Sequence, residues 1–175
     1  MNDSTLFVVS VVAALLVVFL ILWTRRRRAQ AGPSTPEAWV LVDGSNVMHW
    51  QDGAPALAPL TSVILRLTGL GYVPGIVFDA NAGWKLQGRY LRDGELAWLL
   101  GLEKRQVLVV PKGSQADPFL LQTAREFGAR IVTNDRYRDW ADAHPEVLEP
   151  GFLIKGGMRD GQVWLKGLEP VRGAL

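Results

Sequence analysis

Cysteine is absent from the 175-residue chain. Its absence excludes disulfides and thiolate zinc sites, and it suits a reducing cytoplasm. Histidine is scarce: His49 and His144 are the only two, and neither has a partner at metal-ligand spacing. Both therefore read as structural or surface residues. No internal repeat occurs. Strong charge is missing from most of the chain as well. The formal total is +2, but four basic residues are consecutive arginines, Arg25 to Arg28. Without them and Asp3, fifteen basic residues face sixteen acidic ones, a balance of −1. The high isoelectric point is thus no evidence for nucleic-acid binding by the globular part. Finally, no Lys or Arg precedes the long apolar run. A cleavable signal peptide needs a basic segment before that run and a small-residue cleavage site after it. Here the order is reversed.

What is present begins with that run, LFVVSVVAALLVVFLILW from Leu6 to Trp23, where Ser10 is the single polar side chain. Eighteen helical residues span roughly 27 Å, close to the hydrocarbon thickness of a bilayer. A core helix of a soluble protein would show a polar face, and this run has none. Trp23 suits the interface, and the arginines suit anionic headgroups. The positive-inside rule then puts the amino terminus outside and everything after the arginines in the cytoplasm. The expected organisation is a single-pass transmembrane anchor in 1–28, a Gly/Pro/Ser linker in 29–38, and a globular domain in 39–175.

Within the domain, short apolar runs alternate with helical patterns. Strands are expected at Trp39 to Val42, Gly75 to Phe78, Gln106 to Val110 and Arg130 to Thr133. Helices are expected at Leu57 to Leu70, Gln87 to Leu100, Ala116 to Phe127 and Asp135 to Ala143. Phe152 to Lys155 and Gln162 to Leu165 flank a turn with the Asp160-Gly161 pair, which marks a hairpin. Alternation of this kind implies a three-layer α/β/α fold with a mostly parallel sheet covered on both faces. The closing hairpin is expected to add an antiparallel edge.

The polar residues gather after the strands. The first strand runs into Asp43-Gly44-Ser45-Asn46, and the second ends at Asp79. Asp117 falls in the first turn of the helix after the third. Asp135 and Asp139 follow the fourth, four apart, which on a helix would be one face. All lie at the carboxyl edge of the sheet, where ligands bind. Each aspartate alone is most simply a turn or helix-start acid. Three or four carboxylates brought together would repel one another and call for a hard cation. Lys112, Arg136, Arg138 and Lys155 are candidate phosphate contacts, with Arg136 and Arg138 preferred. Trp84 beside Lys85 is a candidate for stacking an unpaired base, though packing on its own helix is commoner.

Val42-Asp43-Gly44-Ser45-Asn46, Ala116-Asp117-Pro118 and Thr133-Asn134-Asp135-Arg136-Tyr137-Arg138-Asp139 together resemble the NYN branch of the PIN-like nucleases. The likeness is closest to the Regnase-like ribonuclease domain and covers about residues 39–165. The resemblance implies magnesium, with manganese as a substitute, held by Asp43, Asp117, Asp135 and Asp139. It implies cleavage of RNA in single-stranded or looped regions. It makes Asn46 a substrate-phosphate contact or an orienter of Asp43. Arg136 and Arg138 lie inside the motif; Ser45 is a further candidate phosphate contact, though a serine after glycine is mostly a turn residue. Two departures stand out. Regnase-like domains often carry two adjacent acids where this chain has Ala116 and Asp117. The zinc finger of some relatives cannot exist without cysteine.

The expected activity is therefore a membrane-anchored, magnesium-dependent endoribonuclease in which a metal-activated water attacks the phosphodiester. The weak charge of the domain leaves a second copy of the chain, or a protein partner, to supply further RNA affinity. Two other readings compete. One is an RNA-binding or protein-docking module at the membrane, against which four clustered carboxylates argue. The other is a metal-dependent phosphatase or phosphotransferase using Asp43 as nucleophile. It would need a second acid two residues on, and Ser45 stands there.

Overall fold

The computed structural model describes residues 37–171. The expected span at residues 6–23 and its arginine flank lie outside the described residues. Among the described residues no helix is long and apolar enough to cross a membrane.

β1 (Trp39–Asp43) is the middle strand of a five-stranded sheet. It pairs in parallel with β2 (Val73–Phe78) on one side and β4 (Arg130–Val132) on the other. β3 (Val107–Val109) lies outside β2, and β5 (Leu153–Ile154) outside β4, both also parallel. The order is β3-β2-β1-β4-β5. The chain works outward from β1 to β3, then crosses back to β4. That reversal leaves a crevice beyond the carboxyl end of β1.

Side-chain alternation along β1 explains why it is central. Val40 and Val42 point to one face and Leu41 to the other, all 3% exposed or less. On the first face they join Ile76 and Phe78 under Leu60, Val63 and Leu67 of α2 (Leu57–Gly69) and Leu96 of α4 (Asp93–Leu100). On the other face Leu41, Val77 and Ile131 meet Leu120, Leu121 and Ala124 of α5 (Ala116–Phe127). Each fully buried aliphatic or aromatic side chain contributes about 1.5–3 kcal/mol. The polar turn after β1 winds into a one-turn helix, α1 (Gly44–Val47). Glycine is required there because a Cβ on Gly44 would stand 2.5 Å from the ring of Phe78.

Three expectations are corrected. The helix expected over Gln87 to Leu100 begins only at Asp93, as α4, and a separate helix, α3 (Ala82–Gln87), ends where it was expected to start. Gly88 ends α3 at φ +67°, and Leu91 then drops into the core at 0% exposure. It packs against Gly83, where a Cβ would meet the Leu91 nitrogen at 2.5 Å. The helix expected over Asp135 to Ala143 shrinks to a 3-10 turn, Arg138–Trp140, because Tyr137 is left-handed at φ +48°. Asp135 and Asp139 therefore share no helix face. The hairpin, β6 (Gly156–Arg159) with β7 (Gln162–Leu165), forms a sheet of its own instead of an antiparallel edge. Phe152 to Lys155 supplies β5, parallel to β4. The turn itself is as expected: Asp160 and Gly161 both have positive φ, at 52° and 74°.

Candidate active site

Asp43 closes β1 and caps α1, its Oδ1 accepting the Asn46 N–H at 3.0 Å. Its Oδ2 accepts two more donors, the Thr133 hydroxyl at 3.0 Å and the Tyr137 hydroxyl at 2.7 Å. Burial pushes this carboxyl above the usual carboxylate range, and the charge of Asp79 adds to the push. The hydrogen bonds from Tyr137, Asn46 and Thr133 oppose it. Tyr137 is 3% exposed. Burial first, then the negative charge of Asp43, hold its hydroxyl far above the ordinary tyrosine value, so it stays a donor.

The loop after β4 is wound around this carboxylate. The Thr133 hydroxyl accepts the Asp135 N–H at 3.0 Å while donating to Asp43. Asp135 Oδ1 accepts the Tyr137 N–H at 2.9 Å, a side-chain turn that competes with helix formation. These local bonds are the physical reason that the motif does not continue as a helix.

Asn46 stands on α1 and ties the two loops together. Its side-chain oxygen accepts both the Trp50 indole N–H at 2.9 Å and the Asn134 backbone N–H at 3.0 Å. Two obligate donors on one oxygen fix the amide orientation and leave its NH₂ as the outward group. Asn134 continues the chain of contacts: its side chain donates to the Gly156 carbonyl at 2.9 Å and accepts the Gly156 N–H at 3.3 Å. Lys155 donates to the Asp135 carbonyl. Ser45 turns the other way, its hydroxyl accepting the Asp79 N–H at 2.9 Å and joining the β1 and β2 turns.

The remaining carboxylates surround Asp43. Asp117, in the first turn of α5, accepts the Trp140 indole N–H at 3.3 Å. Its carboxyl is pushed up by partial burial and then by the charges of Asp43, Asp135 and Asp79. The structure thus brings Asp43, Asp79, Asp117 and Asp135 within one electrostatic neighbourhood. Asp139 lines an open recess of about 510 Å³ together with Asn46, Asn134, Asp135, Arg136 and Arg138. The oxygens are not gathered to ligand distance: among the described residues no group of three or more metal-capable side chains is close enough to hold an ion. The donor chemistry still fits a hydrated hard cation, because magnesium takes one or two carboxylates directly and keeps several waters.

Asp43, Asp117, Asp135 and Asn46 stand at the edge where the strand pattern puts them. Thr133, Asn134, Tyr137 and Trp140 join them with no role expected from the sequence. A signal for Tyr137 was present, since it is the one aromatic residue in an otherwise polar seven-residue motif. Asp79, at the end of β2, also joins the carboxylates electrostatically.

The profile of the Zc3h12a-like Ribonuclease NYN domain matches residues 37–149. The fold is similar to the crystal structure of nuclear proteinaceous RNase P 2 (PRORP2) from A. thaliana. The TM-score is 0.53 at 22% identity, over 97% of this chain and 37% of that one. A second structure, Arabidopsis thaliana nuclear protein-only RNase P 2 (PRORP2), gives 0.52 at 21% identity, over 97% and 38%. The chain therefore spans well under half the length of these plant proteins. The PIN domain endonuclease Utp24 matches at a TM-score of 0.37 and 15% identity, over 78% and 96%. No curated protein matches the chain.

Proposed function

The chain belongs to the Zc3h12a-like ribonuclease NYN family, and from that membership we propose that it is a divalent-metal-dependent endoribonuclease. The observation that carries the proposal is the gathering of Asp43, Asp79, Asp117 and Asp135 at one sheet edge, near enough that the other three charges push the Asp117 carboxyl up. Carboxylates so placed are suited to a cation and poorly suited to meeting RNA alone. Asp43, Asp117 and Asp135 would hold magnesium, partly through water, with Asp139 reaching it from the recess. When bound, the ion supplies Lewis acidity toward the phosphodiester and acidifies a water for in-line attack.

The chain's own residues do the rest. Tyr137 and Thr133 favour the ionised form of Asp43 against its burial and fix its orientation. The Asn46 NH₂ is the donor for a non-bridging phosphate oxygen. Arg136 and Arg138, exposed on the recess, neutralise the neighbouring phosphates. Ser45 acts by holding the β1 turn against Asp79 and touches no substrate.

The test uses the full chain in detergent with structured and unstructured RNA, in magnesium and in chelator. Asp135→Asn is the companion variant. Asn keeps the oxygen that accepts the Tyr137 N–H, so the loop is retained. Cleavage is expected in magnesium alone, with the variant at the chelator level. An RNA left intact in every condition sinks the nuclease reading, and cleavage surviving in the variant removes Asp135 from it.

The same reading includes the anchor. The apolar run at 6–23, followed by Arg25 to Arg28, supports a single-pass chain with the nuclease on the cytoplasmic side. In membranes from expressing cells the chain should resist alkaline carbonate extraction. Release into the supernatant would refute the anchor and leave the nuclease untouched.

A further inference from the structure

The β6–β7 hairpin lies beyond residue 149, where the family match stops. Its inner face is accounted for. Val163 and Leu165 pack on the core, and Gly156 sits so close to Trp50 that a Cβ there would meet the ring at 2.7 Å. The outer face has no such explanation. Arg159, Gln162, Trp164 and Lys166 are all exposed along it, with Trp164 at 42%. Strand alternation puts Gln162, Trp164 and Lys166 on one side, and Arg159 pairs with Gln162 across the ladder. Trp164 pairs with Gly157, and its indole lies against that glycine, 3.1 Å from where a Cβ would be. Glycine at 157 therefore leaves room for an aromatic ring held against the strand and open to solvent on its far side.

Charge and attachment say what such a face would meet. From Lys155 to Lys166 there are three cations, Lys155, Arg159 and Lys166, and one carboxylate, Asp160, at the turn. In a domain of nearly balanced charge this is a local excess. No ion pair among the described residues involves Arg159 or Lys166. The hairpin is also bolted to the candidate active site. Asn134 grips both polar groups of Gly156, and Lys155 holds the Asp135 carbonyl. An aromatic ring between cations, fixed beside a phosphodiester-cutting site, has the chemistry that holds an unpaired polynucleotide: stacking for a base and positive charge for its phosphates.

We propose that the outer face of the hairpin is a docking arm for single-stranded RNA, with a base stacked on Trp164 and phosphates held by Arg159 and Lys166. This rests on the nuclease reading for its direction: the strand bound on the arm leads to the recess lined by Asn46 and Asp135.

The test measures binding apart from cutting. Anisotropy of a fluorescein-labelled twelve-nucleotide oligouridine is titrated with the full chain in chelator, over a range of salt. Trp164→Ala is expected to weaken binding about tenfold and Trp164→Phe to restore most of it. Arg159→Gln with Lys166→Gln, both exposed and with neither side chain in a hydrogen bond or ion pair among the described residues, should flatten the slope of log K against log salt by about 1.4. That pair keeps the question answerable should Trp164→Ala disturb the hairpin. Unchanged affinity and slope in these variants overturn the arm. The two proposals separate cleanly. Trp164-dependent binding in a chain that cuts nothing keeps the arm and ends the nuclease. Metal-dependent cutting with no dependence on the hairpin does the reverse.

Discussion

Tyr137 does more at the site than its apolar ring suggests. It is buried, left-handed and hydrogen-bonded to Asp43 at 2.7 Å. Its hydroxyl is the largest of the influences that lower the Asp43 carboxyl against burial. Tyr137→Phe removes that donor and keeps the ring. The Asp43 carboxyl then rises further, so the acid limb of the pH–rate profile should move to higher pH. Activity near pH 5.5 should fall more than activity near pH 8. Losing a hydrogen bond to a charged, buried group also costs stability, about 1–3 kcal/mol. A profile that keeps its acid limb while overall rate falls would show Tyr137 to be a packing residue only. This role was not legible in the sequence. Asp43 and Tyr137 are 94 positions apart, and no local pattern links them. The acids were legible because each follows a strand, and the strands follow from apolar runs.

At the scale of elements, legibility tracked how local the deciding forces are. α5 came out of the sequence at its true bounds, because an apolar stripe and a terminal glycine are both local signals. The segment after β2 did not, because the break at Gly88 is set by Leu91 reaching a core pocket beside Gly83. The loop after β4 failed as a helix for a similar reason: its polar side chains bond to nearby backbone and to Asp43. α5 also holds a neighbour in place. Arg125 donates from Nε and from an Nη to the two oxygens of Glu146, at 2.9 and 2.8 Å, fixing the 3-10 turn Pro145–Leu148. The Arg125 guanidinium draws the Glu146 carboxyl down to about 2. A depressed carboxyl stabilises the fold above its unfolded value of 4.5, and the contribution fades as pH falls toward 2. Arg125→Gln should lower stability slightly at pH 7, as expected for a solvent-screened surface pair. In urea melts, the gap between wild type and variant should narrow from pH 5 to pH 3. A gap of constant size across that range would assign the loss to packing of the arginine stem.

For the whole molecule, the crowded carboxylates set activity against stability. Asp117 is pushed up by burial and by Asp43, Asp135 and Asp79, so its ionised form strains the fold. A raised carboxyl carries no penalty below its unfolded value. The penalty grows as pH climbs from the unfolded value to the folded one and is complete above it. Asp117→Asn should therefore raise the thermal midpoint at pH 7 in chelator, with the gain vanishing near pH 4. It can still accept the Trp140 indole N–H. Magnesium should raise the midpoint of the wild type and do little for the variant. A variant less stable than wild type in chelator would mean that repulsion is not what strains this edge. The placement of Asp43 has a consequence in time as well. Thr133 and Tyr137 lie 90 and 94 positions downstream, which is roughly 5–20 s of synthesis. Until they emerge, Asp43 has neither its hydroxyl partners nor the loop that encloses it. A ribosome making this chain thus translates past Tyr137 before the proposed site can assemble, so any activity of that site is delayed by the order of its own codons.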